Sequence, residues 1–353
     1  MERRLSKKIK LGNIYIGGDS KITVQSMTNT DSSDYDATYR QIRELENCGC
    51  DIVRLTVPDM DAVKTVARLK ESDINIPIVA DIHFDYKMAI EAAYAGADKI
   101  RINPGNIGGE DRVKAVVDAC VLKNIPIRIG VNSGSLEKSI LDKYGRPSGE
   151  ALAESAIYHA SLLEKFDFTD IILAVKSSRV GDMIRANRIL AEKTEYPLHL
   201  GVTEAGTVHK GVIKSAAGIG GLLLDGIGDT IRVSLTAHPT EEIREGKAIL
   251  SAIGINEEKG INIISCPTCG RTKIDIISIA NEFEKRASEL SVDRKIDVAI
   301  MGCVVNGPGE ARECDIGIAG GVGEAVLFKK GKVIRKIDES RIIDELIEEI
   351  KKL

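Results

Sequence analysis

An α/β protein is predicted, an N-terminal (β/α)8 TIM-type barrel followed by a small α/β domain, from three features of the 353-residue sequence. Short runs rich in Val and Ile recur, each followed by a segment with apolar residues at helical spacing, the pattern of βα units around a parallel sheet. Eight such units precede residue 255, and the pattern changes beyond it. The length holds one barrel of about 250 residues plus one small domain.

The strands expected are 22–27, 52–57, 77–84, 99–103, 126–132, 171–176, 197–203 and 230–236. Helices are expected to start near Asp34, Asp61, Tyr86, Glu110, Ser148, Gly181, Val208 and Thr240, with Ser, Thr or Asp as N-cap candidates and Gly49 or Gly96 as C-caps. Periodicity does not itself show closure, so an open doubly wound sheet is the competing architecture. The stretch 254–260 reads as a linker between a barrel over 1–255 and a second domain over 260–353. There, 261–265, 297–301 and 315–319 read as strands, and 272–290 and 341–352 as helices.

Lys plus Arg at 49 against Asp plus Glu at 53 gives a net charge of −4, which excludes the global positive field of a nucleic-acid binder. An anion site must therefore come from cations concentrated locally. The basic start, MERRLSKKIK, leads into no apolar secretory segment. The longest apolar stretch, 216–224, stops at Asp225, short of the roughly 18 residues a membrane helix needs. A cytoplasmic protein with no membrane or nucleic-acid partner is expected. Seven cysteines in such a chain read as thiols or metal ligands rather than a disulfide framework.

A weak repeat links Gly49-Cys50-Asp51-Ile52-Val53-Arg54, Gly96-Ala97-Asp98-Lys99-Ile100-Arg101 and Asp229-Thr230-Ile231-Arg232. Each places an arginine in an apolar strand. Arg128 lies within the fifth strand and Lys176 ends the sixth, so five cations come from strands that ought to be almost wholly apolar. One reading pairs each with an inward Asp or Glu. The other gathers them at the carboxyl ends of the strands, where barrel enzymes place their sites, as a socket for phosphate or diphosphate. Gln25, Ser26, Thr28, Asp81, His83, Asn103, Asn132, Thr203, Glu204 and Ser234 fall at the same strand ends. Glu204 is the acid/base candidate, with a counter-ion role as its alternative. His83 and His199 read as hydrogen-bonded core or rim residues, and the glycines of 217–221 as a site of close helix packing.

The second domain carries Cys266-Pro267-Thr268-Cys269-Gly270-Arg271, then Gly302-Cys303-Val304-Val305-Asn306-Gly307-Pro308-Gly309-Glu310, and Cys314. A four-cysteine zinc site, a redox-active dithiol at Cys266 and Cys269, and an iron–sulfur cluster on Cys266, Cys269 and Cys303 compete. The cluster needs a fourth ligand, for which Glu310 or Cys314 is available.

The motifs CPTCGR and MGCVVNGPGEA, with VQSMTNTD, RINPGN and GVNSGSLE in the barrel, closely resemble those of the 4-hydroxy-3-methylbut-2-enyl diphosphate synthases, iron–sulfur reductases of the methylerythritol phosphate route to isoprenoids. The resemblance covers nearly the whole chain and implies the bacterial two-domain type. It implies one [4Fe-4S] cluster on Cys266, Cys269, Cys303 and Glu310, with Cys314 a bystander. It implies that Arg54, Arg101, Arg128, Lys176 and Arg232, with Asn132 and Ser234, hold a diphosphate, and that Glu204 assists proton transfer. The implied reaction is reductive ring opening and dehydration of 2-C-methyl-D-erythritol 2,4-cyclodiphosphate, with flavodoxin or ferredoxin as electron donor. A homodimer in which the cluster domain of one chain faces the barrel of the other is implied as well. A metabolite-binding sensor and a pterin-type barrel transferase are the alternatives.

Overall fold

A computed structural model describes residues 2–255, 259–287, 289–290, 292–304 and 311–353. The chain divides into two compact units, Met1–Ile255 and Asn256–Leu353.

The first unit opens with a hairpin that the sequence reading did not anticipate, β1 (Ile9–Leu11) and β2 (Ile14–Ile16), turning at Gly12. Its Leu11 and Ile16 pack on Ile52 and Val79, which lie at the starts of barrel strands, so the hairpin plugs the amino-terminal end of the barrel. The eight barrel strands are β3 (Thr23–Met27), β4 (Ile52–Thr56), β5 (Ile78–Asp81), β6 (Lys99–Ile102), β7 (Ile127–Asn132), β8 (Ile171–Lys176), β9 (His199–Leu200) and β10 (Thr230–Ile231). They are joined in parallel in the order β8-β7-β6-β5-β4-β3-β10-β9. The free edge of β8 is paired as well: Leu173 N donates to Pro197 O at 2.9 Å, and Leu173 bridges Leu198 in parallel. That contact joins the two edge strands, which rules out the open doubly wound sheet.

The helices follow from local chemistry. Asp34, Asp59, Asp85 and Ser148 cap α1 (Tyr35–Asn47), α2 (Met60–Lys70), α3 (Tyr86–Tyr94) and α7 (Gly149–Glu164) by accepting from backbone N–H groups of the first turn. Between α3 and α7 lie α4 (Pro104–Ile107), α5 (Glu110–Lys123) and α6 (Lys138–Tyr144), of which α4 and α6 were not expected. Next come α8 (Val180–Lys193), α9 (Val208–Ser215), a π-helical turn over Ala216–Gly220, α10 (Gly221–Leu224) and α11 (Pro239–Ala252). Of the 217–221 glycines, Gly218 is the one that close packing demands, since a Cβ there would stand 2.8 Å from Met183 Cε.

Three expectations are corrected. The third, seventh and eighth strands stop at Asp81, Leu200 and Ile231, before the expected 84, 203 and 236. Beyond them the chain leaves the sheet: Glu204 adopts a left-handed φ of 51°, which a strand cannot contain.

The second unit is a five-stranded sheet, β11 (Gly260–Ser265), β12 (Lys295–Met301), β13 (Ile316–Gly320), β14 (Glu324–Lys329) and β15 (Lys332–Asp338), in sequential order. The first two pairings are parallel and the last two antiparallel. The hairpin β14–β15 was not anticipated; it turns at Lys330-Gly331, both with positive φ, the geometry of a two-residue hairpin loop. Helices α12 (Ile276–Ala287) and α13 (Ile342–Ile350) bury Ile276, Ile279, Phe283, Ile342, Leu346 and Ile350 against Val298, Ile300, Ile316 and Ile318. The helix α12 is shorter than the 272–290 expected. Among the described residues no helix is long and apolar enough to cross a membrane.

Candidate active site

Strand alternation decides which side chains reach the barrel interior. Arg54 and Thr56 share one face of β4, Lys99 and Arg101 one face of β6, and Arg128, Gly130 and Asn132 one face of β7. At the carboxyl end these faces converge on a cavity of about 130 Å³ lined by Arg54, Arg101, Arg128, Lys176 and Arg232 together with Asp81, His83, Asn132, Thr203 and Ser234. The seven residues expected to hold a diphosphate therefore border one cavity. Gly130 makes room for the Arg101 guanidinium: a Cβ there would stand 2.7 Å from Arg101 Nη2.

The two readings of the cations each account for part of the mouth. Three of the five have carboxylate partners. Arg101 Nη1 donates to Asp81 Oδ1 at 3.0 Å, and Arg54 Nε stands 3.6 Å from Asp81 Oδ2. Arg232 donates to both oxygens of Glu242, at 3.1 and 3.2 Å. Among the described residues neither Arg128 nor Lys176 is in a salt bridge, and Arg128, 1% exposed, reaches only the neutral Gln25 Oε1 at 3.4 Å. Five basic side chains thus face two buried carboxylates, and the four guanidiniums alone leave an excess of two positive charges.

Burial alone would raise the Asp81 carboxyl, but Arg54, Arg101 and Arg128 outweigh it and hold it well below the usual range. Burial pushes the Arg54 guanidinium down to about 10, with Asp81 opposing. The Arg128 guanidinium and the Lys176 amine are also driven well below their usual values, by burial first and by the neighbouring cations second. A guanidinium holds its proton regardless, so the mouth stores repulsion that a bound anion relieves.

Glu204 is not on the cavity wall. It is exposed, one residue beyond Thr203, which is on that wall. Its left-handed backbone is of the kind that surrounding structure must enforce in a residue with a side chain.

In the second unit the thiols stand at the carboxyl ends of neighbouring parallel strands. Cys266 follows β11, and Cys303 comes two residues after β12. Gly302 N donates to Cys266 Sγ at 3.2 Å, and Lys273 N donates to Gly302 O at 2.9 Å, which binds the Cys266–Thr272 loop to the Cys303 segment. Gly302 is tightly enclosed, since a Cβ would stand 2.9 Å from Thr272 Cγ2. The Cys269 thiol is exposed and lowered, chiefly by the Arg271 backbone N–H. Among the described residues no three His, Cys, Asp or Glu side chains gather closely enough for a single metal ion. Cys314 is buried in an apolar cluster with Ala299, Met301, Ala311, Ala319 and Phe328, and burial raises its thiol. Glu310 lies outside the described residues.

Residues 6–247 match the family model described as the GcpE TIM-barrel domain, and residues 262–352 the one described as the GcpE protein C-terminal domain. The chain belongs to the GcpE family. Among GcpE relatives, a Clostridium perfringens protein named 4-hydroxy-3-methylbut-2-en-1-yl diphosphate synthase (flavodoxin) is 59% identical, with 98% of each chain covered. Proteins of the same name from Ruminiclostridium cellulolyticum and Fusobacterium nucleatum are 56% and 55% identical; the matches cover 100% and 98% of this chain and 99% and 96% of theirs. A solved Plasmodium falciparum HPPK-DHPS variant with pterin and p-hydroxybenzoate covers 72% of this GcpE chain and 49% of its own, at 13% identity and a TM-score of 0.52. That likeness shows the barrel fold alone.

Sequence reasoning missed two charged residues of this GcpE barrel. Glu242, the counter-ion of Arg232, comes from α11 and carries no motif. Lys99 was legible: two residues before Arg101 on a strand, it must share Arg101's face.

Proposed function

We propose that this chain catalyses the reductive ring opening and dehydration of 2-C-methyl-D-erythritol 2,4-cyclodiphosphate to 4-hydroxy-3-methylbut-2-enyl diphosphate. The observation that carries this reading is the excess of positive charge at the barrel mouth, five basic side chains against two carboxylates, in a GcpE-family chain. The overall change takes up two electrons and, with the cyclic dianion becoming a trianionic diphosphate, one net proton, and it releases one water. It breaks the bond between carbon and a ring phosphate oxygen, so negative charge grows on the diphosphate. Arg54, Arg101, Arg128, Lys176 and Arg232 would bind that group and stabilise the growing charge, while Asp81 and Glu242 hold three of the guanidiniums in place. Asn132 and Ser234 would donate hydrogen bonds to the ligand from the same wall. Glu204 would hold the proton that the departing hydroxyl oxygen takes as it leaves as water.

Cys266, Cys269 and Cys303 fit an iron–sulfur centre. Two of the thiols sit at adjacent strand ends, Cys266 Sγ accepts a backbone N–H, and the lowered Cys269 thiol favours the thiolate that iron requires. With Glu310 as fourth ligand they would hold a [4Fe-4S] cluster, which supplies one-electron transfer from reduced flavodoxin or ferredoxin. The reading further takes the protein as a cytoplasmic homodimer in which the cluster domain of one chain serves the barrel of the other.

The test is anaerobic purification and cluster reconstitution, with iron, sulfide and zinc analysis, followed by turnover of the cyclodiphosphate with reduced flavodoxin. Near four irons and four sulfides per chain with product formed is the expected result. Stoichiometric zinc without sulfide, persisting after reconstitution, overturns the reading.

A further inference from the structure

Beneath the anion cavity lies a second polar layer that the proposed reaction leaves unused. Lys99, on the same face of β6 as Arg101, is wholly buried, and its Nζ has no hydrogen-bond partner. Arg128 Nε, Gln25 Nε2, Thr23 Oγ1 and His199 Nε2 are buried and unpartnered in the same way. Register places these groups in the lumen. Lys99 pairs with Val79, which packs on the hairpin plug, while Thr230 pairs with both Thr23 and His199. Only His199 Nδ1 and Gln25 Oε1 have neighbours, Thr230 Oγ1 and Arg128 Nη1, each at 3.4 Å.

The charged groups facing Lys99 are Arg128 from β7 and Arg54 from β4, with Asp98 beside it in the chain. Asp98 is already engaged by Lys70 Nζ at 2.7 Å and Ile78 N at 2.8 Å. His199, from β9, faces Arg128, Lys176, Lys99 and Arg54. Among the described residues, the layer thus holds two titratable bases, surrounded by basic groups and with no free carboxylate. Burial, reinforced by those cations, pushes the Lys99 amine and the His199 imidazole well below their usual values. Burial without a hydrogen-bond partner, among cationic neighbours, thus favours the uncharged form of both bases while no anion lies above them.

We propose that Lys99 and His199 form a buried proton acceptor under the socket, so that binding a diphosphate at the mouth is coupled to uptake of a proton from solvent by this layer. The inference rests on the reading of the mouth as a cyclodiphosphate site. A dianion close above, in a low dielectric, raises the proton affinity of such a base by about tenfold to a hundredfold. The positive charge so created faces a ligand that carries two negative charges as the cyclic diester and gains another when the ring opens. Lys99 and His199 act through the field rather than by contact with substrate, and are positioning residues in that sense.

The ligand suits the test, because each of its phosphates is esterified and bridged and keeps only a strongly acidic proton. Protons taken up near pH 8 must then come to the protein. The full chain is titrated calorimetrically with the cyclodiphosphate in two buffers of different ionisation enthalpy. The expected result is a buffer-dependent heat equal to uptake of roughly half to one proton per ligand, with affinity falling about three- to tenfold per pH unit above neutrality. In the Lys99→Met, His199→Phe double variant the uptake disappears. Equal heats in both buffers overturn the proposal, and that arm needs no variant. Uptake that persists in the double variant, or that vanishes in His83→Asn, overturns it too. Absence of binding in either buffer overturns the reading of the mouth itself, and the inference with it.

Discussion

Glu242 grips Arg232 with both carboxylate oxygens, accepting from Nε at 3.1 Å and from Nη2 at 3.2 Å. The same carboxylate accepts from Ser26 Oγ at 3.0 Å and from Leu235 N at 3.2 Å, so one side chain of α11 ties β3 to the segment after β10. Glu242→Ala leaves a largely buried guanidinium unpaired and is expected to cost about 3 kcal/mol of stability. Removing both charges, with Glu242→Met and Arg232→Met together, should recover part of that loss. Urea unfolding of the two variants measures the difference; equal losses would show that the pair is not the source.

Arg128 should behave in the opposite way. It has no carboxylate partner and its Nε is buried without an acceptor, so Arg128→Met removes an uncompensated charge. The melting temperature is expected to hold or rise, while affinity for the cyclodiphosphate falls at least tenfold through loss of about 1.5 kcal/mol or more of charge-assisted hydrogen bonding. Arg101→Met should lower both, because it strips Asp81 of its nearest partner. Parallel melting and calorimetric curves separate the two patterns.

These contrasts mark how far the sequence could be read. That Arg54, Arg101, Arg128 and Lys176 reach the lumen was legible, because strand alternation places each on an inward face. Their counter-ions were half legible. Asp81 ends a barrel strand and could be seen, whereas Glu242 arrives from a helix and only tertiary packing brings it to Arg232. Glu204 was misplaced because apolar pattern continues past Leu200, and pattern does not register the left-handed turn that ends the sheet there. The hairpins at Gly12-Asn13 and Lys330-Gly331 had local turn signals, but strands this short give periodicity little to work with.

The motifs RINPGN and GVNSGSLE meet at a latch. The Glu137 carboxylate contacts the buried His159 on α7, and a Cβ on Gly105 would stand 3.3 Å from both. Asn103 Nδ2 donates to Ser135 Oγ at 3.0 Å, and Ser135 Oγ donates to Asn132 O at 3.1 Å, so the loop that ends in Glu137 also carries Asn132. Burial would raise the Glu137 carboxyl, but the adjacent His159, its own backbone and Ser155 hold it below the usual value. A carboxyl so depressed contributes stability that is complete above its unfolded value of about 4.3 and is lost as pH falls through the folded one. Glu137→Gln is therefore expected to cost about 1 kcal/mol at neutral pH and to match the parent in strongly acidic solution. A loss that is the same at every pH would remove the ionised carboxylate from the explanation.

The cysteines should separate by environment. Burial pushes the Cys50 and Cys120 thiols up to about 12, whereas Cys269 is exposed and lowered. The thiolate is the reactive form, so in the iron-free protein iodoacetamide should modify Cys269 first and at lower pH than an ordinary thiol near 8.5. Cys50 and Cys120 should react only on unfolding. Loading with iron and sulfide should protect Cys269, together with Cys266 and Cys303, and peptide mass mapping reads all of these positions at once. Cys314 packs against Met301 and Phe328 among alanines, so Cys314→Ala should cost about 1 kcal/mol and leave the iron and sulfide content unchanged. Loss of iron in Cys314→Ala would move the fourth ligand from Glu310 to Cys314.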